Sequence, residues 1–93
     1  MNAADSPSFD DVCQAIVDHV LSHFVSSYDR ETLPRDQSLV ELGVIDSYGV
    51  VELVAFLEDT WSVTVADEEI TREKMGSIDK MAALVVGKKR RGS

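Results

Sequence analysis

Apolar residues return every three or four positions in three separate stretches of this 93-residue chain, a period that points to a small helical bundle. In the first stretch Phe9, Val12, Cys13, Ile16, Val20 and Phe24 fall on one stripe at about 100° per residue. Ser8 is placed to cap this helix, Asp10 and Asp11 complement its positive end, and the period runs out near Ser27. The second stretch runs from Ser47 to about Thr60. Val50, Leu53, Val54, Leu57 and Trp61 gather on one side of it. Tyr48, Glu52, Ala55 and Asp59 gather on the other, with Val51, Phe56 and Glu58 at the flanks. The third opens at Ser77, which caps a helix with Asp79 in its first turn. It turns Ile78, Met81, Ala82 and Val85 inward and ends near Gly87. The expected core is Val12, Ile16, Val20, Val50, Leu53, Val54, Leu57, Ile78, Met81 and Val85.

Tyr28 to Asp46 has no sustained period and contains Pro34 and Gly43. A connection this long packs onto the domain it belongs to, and Leu33, Leu39, Leu42, Val44 and Ile45 are its anchors. Ser62 to Val65 alternates like a strand but has no second strand to pair with, so it reads as an extended loop. Asp67 is placed to cap a short helix, Glu68 to about Arg72, tucked in by Ile70. The expected fold is all-α: a four-helix bundle of three longer helices and one short one, with a long loop between the first two. Residues 1–7 read as a flexible lead-in, 8–87 as the domain, and 88–93 as a basic tail.

A domain of this size buries a modest core and has little room for a catalytic pocket of its own. The net charge is −8, unevenly spread: −4 over residues 1–35, −9 over 36–79 and +5 over 80–93. An acidic body disfavours nucleic acid and anionic membrane as partners and favours basic protein surfaces. Lys88 to Arg91 read as a solubilising tail at a frayed terminus. The lone Cys13 has no partner for a disulfide within the chain, and there is no long apolar run, so a soluble, cytoplasmic monomer is expected. His19 and His23 stand one helical turn apart, but no third ligand is indicated and no metal site is expected.

One residue carries a choice. Ser47 stands behind Asp46 at the start of the second helix, where a hydroxyl serves as an N-cap or as a point of covalent attachment. Catalysis would need a base and an oxyanion hole, and neither is indicated. A phosphate ester at that place would sit at the positive end of the helix dipole. Periodicity does not decide between cap and attachment.

The stretch Gly43-Val44-Ile45-Asp46-Ser47-Tyr48-Gly49-Val50-Val51-Glu52-Leu53 resembles the attachment motif of acyl carrier proteins and their aminoacyl and peptidyl carrier relatives. The resemblance extends to Ser38–Gly43 before it, to Leu57–Trp61 and Val63–Glu69 after it, and to Ser77-Ile78-Asp79, covering roughly residues 9 to 87. It implies that Ser47, with Asp46 as its motif neighbour, is esterified with 4′-phosphopantetheine by a phosphopantetheinyl transferase that uses coenzyme A. An acyl or aminoacyl group would then be held as a thioester on the arm, by a carrier that is not itself an enzyme. The resemblance also implies that Glu41, Glu52, Glu58 and Asp59 meet basic docking patches on partner enzymes, with apolar contacts from Tyr48, Val51 and Ala55. Tyr48 stands where the family most often has Leu or Met, and Gly49 where fatty-acid carriers often have an acid. The basic tail is outside the usual pattern. These departures point to a dedicated acyl carrier in a specialised pathway, loaded by acyl-transfer or synthase enzymes. Two alternatives stay open: an aminoacyl or peptidyl carrier loaded by an adenylating ligase, and an unmodified adaptor for a basic partner.

Overall fold

A computed structural model describes residues 7–24 and 26–91; the expected lead-in up to residue 6 and the last two residues of the tail lie outside it. Helix α1 spans Phe9–His23, α2 Ser47–Trp61, α3 Arg72–Met75 and α4 Ile78–Arg90, with a 3₁₀ turn at Asp67–Glu69. The all-α fold with three longer helices and one short one is as the periodicities require, and no strand forms among the described residues.

α1 starts as expected, with Ser8 Oγ accepting from the Asp11 N–H at 3.0 Å. It ends four residues before Ser27. Phe24 leaves the helix in an extended conformation while its N–H still reaches the Val20 carbonyl at 3.0 Å. The exit lets the Phe24 ring lie against α2: Cε1 stands 3.0 Å from where a Cβ on Gly49 would be. Ser26 then accepts from the Tyr28 N–H at 3.0 Å, a local bond that competes with helix. Val12, Cys13, Ile16, Val17 and Val20 are buried, so the covered stripe is wider than the spacing suggested, because α4 packs along α1 more extensively than any other pair of helices does. Phe9, in the first turn, stays exposed.

The long loop is fastened at several points. Asp29 accepts from the N–H groups of Glu31 and Thr32 at 2.9 and 3.0 Å, which holds its carboxyl below the usual carboxylate range. Further on, the Arg35 carbonyl accepts from the Asp79 N–H at 2.9 Å, Leu39 N–H donates to Gly76 at 3.2 Å, and Val44 N–H donates back to Leu39 at 3.0 Å. Gly43 takes a positive φ of 77° that lets the chain turn into the approach to α2. Leu33, Leu39, Val44 and Ile45 are buried and Leu42 is half-buried.

Three expectations change after α2. The helix at 67–72 is two pieces: Asp67 lies inside the 3₁₀ turn, and α3 begins only after Thr71, whose side chain accepts from the Lys74 N–H at 3.2 Å. Glu69, not Asp67, satisfies the entry to the turn, taking the Ala66 N–H at 2.9 Å. α4 runs past Gly87 to Arg90, because Lys88 pairs with Glu69 at 2.8 Å and Lys89 Nζ donates to the Trp61 carbonyl at 3.0 Å. Ser77 does cap α4, accepting from the Lys80 N–H at 3.2 Å, and Ile78, Met81, Ala82 and Val85 all turn inward.

Nine of the ten expected core residues are buried; Val50 is half-buried, for a reason given below. Leu57 has no exposure and sits mid-α2 in that core. Leu57→Ala should cost about 2–5 kcal/mol in urea unfolding, from lost burial plus the void left behind. A loss under about 0.5 kcal/mol would show that α2 is not held by this face.

Candidate functional site

Asp46 and Ser47 divide the two roles that the sequence left joined. Asp46 is the N-cap of α2: its Oδ1 accepts from the Gly49 N–H at 3.0 Å, and its carbonyl accepts from the Val50 N–H at 3.1 Å. Ser47 is the first helical residue, so its expected secondary role as a cap is corrected. A carboxylate one residue earlier already holds the donor that a capping hydroxyl would have taken. The Ser47 side chain is exposed, and its hydroxyl has no hydrogen-bond partner among the described residues.

The surroundings suit an anion there. The first turn of α2 carries no acid of its own, and the N–H groups of Ser47 and Tyr48 have no acceptor within the helix. Gly49 is buried, and a Cβ on it would stand 2.8 Å from Ile45 Cβ. Gly49 therefore serves close packing of α2 on the loop. It does not belong to the outer surface, where the sequence reading had placed it as a missing acid.

The outer face of α2 is split between apolar and acidic side chains. Tyr48 is 85 % and Val51 66 % exposed, and Glu52, Ala55 and Asp59 are exposed as well. The acids are engaged to different degrees. Glu52 Oε1 accepts from His19 Nε2 at 2.9 Å, and Glu58 is half-buried, its Oε2 accepting from the Val65 N–H at 2.9 Å. Glu41 pairs with Arg72. Asp59 has no ion-pair partner among the described residues. The structure thus brings Tyr48, Val51, Glu52, Ala55 and Asp59 together on one helix face, sets Glu58 at its edge and leaves Glu41 on the loop.

His19 and His23 stack on one another with centroids 4.0 Å apart, and His19 stacks on Phe56 at 3.9 Å. Their nitrogens go to Glu52 and to the His19 carbonyl. Among the described residues no group of three or more His, Cys, Asp or Glu is arranged around a metal. Cys13 is fully buried, 3.6 Å from Asp79 Oδ1. Burial first, and the Asp79 charge second, push its thiol up to about 11, so it is no nucleophile at neutral pH.

Sequence reasoning missed a cavity beside Ser47. Val40, Ile45, Val50, Ile70 and Met75 give an apolar lining to a space of about 320 Å³, with Ser38, Thr71 and Arg72 adding polar groups. Val50 belongs to this cavity and not to the closed core, because α3 and the loop stand away from α2 at that level. The sequence assigned Ile45, Val50 and Ile70 to packing one by one, and no local pattern showed that they line a common space.

No family model matches the chain. It is similar to the D-alanyl carrier protein of two strains of Streptococcus suis, 39% identical over 51 residues that are 55% of this chain and 65% of each relative. It is also similar to the probable acyl carrier protein PigG of Serratia sp., 27% identical over 70 residues, 75% of this chain and 79% of that one. The D-alanyl carrier protein of Streptococcus uberis is 36% identical over 47 residues, half of this chain and 60% of its own. The chain thus spans just under two thirds of the length of the streptococcal relatives.

The division of labour between Asp46 and Ser47 has a simple thermodynamic signature. Asp46→Ala should cost about 1 kcal/mol of stability through the lost cap, whereas Ser47→Ala should stay within about 0.5 kcal/mol of the parent in thermal unfolding. Equal losses would mean that Ser47 caps after all.

Proposed function

We propose that this chain is a carrier protein and not an enzyme, and that it holds acyl groups as thioesters on a 4′-phosphopantetheine arm esterified to Ser47. The carrying observation is the Ser47 hydroxyl: exposed, without a hydrogen-bond partner among the described residues, and released from capping by Asp46. A hydroxyl in that state is available to a transferase that brings its own base. Its oxygen forms the new bond to the phosphorus of coenzyme A nearest the pantetheine, the pyrophosphate bond breaks, and the nucleotide leaves while the transferase takes the hydroxyl proton. The resulting phosphodiester sits at the N-terminus of α2, where the N–H groups of Ser47 and Tyr48 favour its charge. When bound, the arm supplies a terminal thiol for the cargo.

The cavity favours acyl over aminoacyl cargo. Its apolar lining begins at Ile45 and Val50, within one helical turn of Ser47, so an arm anchored there can fold an apolar chain back into it. An aminoacyl group, carrying a charged amine, gains nothing from that lining. The streptococcal relatives are named for a D-alanyl cargo, which keeps the aminoacyl alternative as the second reading. The unmodified adaptor leaves the unpartnered hydroxyl without a use.

Partner enzymes meet the outer face of α2 in this reading. Tyr48, Val51 and Ala55 supply a small apolar contact, and Glu52 and Asp59 supply rim charges with Glu58 and Glu41 behind them. Contacts of that size and charge are fast and salt-sensitive, as a carrier visiting several enzymes in turn requires.

Incubation with coenzyme A and a broad-range phosphopantetheinyl transferase should raise the intact mass by one phosphopantetheinyl group in the parent and not in Ser47→Ala. In the loaded protein one thiol should alkylate rapidly at neutral pH, and in the unloaded protein none, since Cys13 is buried with a raised pKa. No mass gain, or a gain that survives Ser47→Ala, would sink the carrier assignment.

Glu52→Lys and Asp59→Lys should each weaken binding of the transferase roughly tenfold at low salt while leaving the circular dichroism unchanged. Unchanged affinity would place docking elsewhere on the molecule.

A further inference from the structure

The positive charge of this acidic chain is gathered in one place. Seven of its nine Lys and Arg residues fall between Arg72 and Arg91, a span with only Glu73 and Asp79 as acids. The fold turns part of that span into a groove of about 430 Å³ between α3 and α4, where Lys74, Lys80 and Arg91 stand beside Ala83 and Leu84. Lys80 and Leu84 lie on one stripe of α4, and Arg91, the C-cap just past its end, follows seven residues on at the same phase. The Arg91 guanidinium lies back along that stripe, 3.7 Å from where a Cβ on Gly87 would be.

Helix electrostatics accounts for some of these charges only. Lys88, Lys89 and Arg90 complement the negative end of α4. Lys80 sits in the first turn, where the dipole disfavours a cation, and Lys74 is on a different helix. Neither of them, nor Arg91, has a carboxylate within ion-pair distance among the described residues. Two acids line the groove: Glu69 is held by Lys88 at 2.8 Å and by the Ala66 N–H, and also feels the Lys74 charge, while Glu73 has no ion-pair partner among the described residues. Lys80 Nζ donates to the Arg72 carbonyl at 3.3 Å, a neutral partner that leaves its charge uncompensated.

The groove is also held in shape. The last turn of α4 would fray if it were only a tail. Lys89 ties it to the end of α2 and Lys88 ties it to the 3₁₀ turn. Cations fixed on two packed helices bind with less ordering cost than cations on a mobile terminus.

We propose that this α3/α4 groove is a second docking surface, for an acidic segment of a protein partner whose carboxylates meet Lys74, Lys80 and Arg91 across Ala83 and Leu84. A membrane fits the face less well: the large exposed apolar residues, Phe9, Val40, Tyr48 and Val51, all lie outside it. A nucleic acid fits it less well too, because the groove offers no aromatic side chain among the described residues on which a base could stack. The groove and the outer face of α2 are on different helices, so an acidic partner can hold the carrier while Ser47 and α2 meet a basic one. Such holding raises the local concentration of carrier for the second enzyme. The inference does not depend on what Ser47 carries.

The test is an amide-resolved NMR titration of the full chain with a glutamate-rich peptide containing leucine, against the same peptide with glutamine for glutamate. Saturable shifts at Lys74, Lys80, Ala83, Leu84 and Arg91, lost at high salt and absent with the glutamine peptide, are expected. Lys80→Glu should weaken binding roughly tenfold. It puts an acid into the first turn of α4, which favours the helix, but it also removes the bond from Lys80 Nζ to the Arg72 carbonyl. The Lys74 ammonium makes no such bond among the described residues, so Lys74→Glu should weaken binding likewise with unchanged circular dichroism. Mass labelling of Ser47 should be unaffected by Lys80→Glu. Shifts confined to Tyr48–Asp59, equal response to the glutamine peptide, or full affinity in Lys80→Glu would overturn the proposal. Preferential binding to phosphatidylglycerol vesicles would overturn it in favour of a membrane. Salt-reversible self-association without peptide binding would do so in favour of a second copy of the chain.

Discussion

The carboxylate of Asp46 on the Gly49 N–H is a short contact with long consequences. It fixes where α2 begins and anchors that end of the helix to the approach loop, while the buried stripe of Leu53, Val54 and Leu57 sets how the helix is turned. The same bond removes Ser47 from structural duty. It further requires Gly49 to be glycine, since α2 must come close enough to Ile45 and Phe24 for the cap to form, and any side chain there would collide. The early exit of α1 at Phe24 serves the same junction. One cap thus joins the end of α1, the approach loop and the start of α2.

That dependence explains what could be read from sequence and what could not. Periodicity gave α1, α2 and α4 because each has a buried stripe, and a stripe is visible as spacing. It did not separate Asp46 from Ser47, because both residue types cap helices and only geometry says which oxygen reaches the amide. It extended α1 to Ser27 because it had no means of knowing that Phe24 is needed elsewhere. The two-piece segment at 67–75 was read as one helix for a similar reason: Asp67 looks like a cap, while the bond that matters comes from Glu69. The exposed outer face of α2 was legible from angle, and motif resemblance singled out Ser47, which the structure leaves exposed at the helix start. The cavity was not, since it is made by residues from three segments that no local pattern connects.

The end of α4 shows how composition alone misleads. Five bases without an acid suggest a solvated tail, yet Lys88 and Lys89 are the pins that hold the last turn against the rest of the domain. Both contacts use long aliphatic stems that cover apolar surface while their charged heads reach Glu69 and a backbone carbonyl. The acid and the carbonyl involved lie nineteen and twenty-eight residues away, and no short-range rule anticipates them.

Once α4 is rigid to Arg90, the charge asymmetry of the chain becomes an asymmetry of the folded surface. The acids of α2 and the bases of α3 and α4 are displayed on separate helices, and among the described residues the bases of the 72–91 span pair with Glu41, through Arg72, and with Glu69, through Lys88, neither of them on α2. A domain that gained stability by pairing its charges would have brought the two sets together. Keeping them apart leaves self-repulsion within each face and adds little to stability, since exposed pairs contribute little in any case. What the separation does provide is two surfaces of opposite sign, with the exposed hydroxyl of Ser47 at the start of the acidic one.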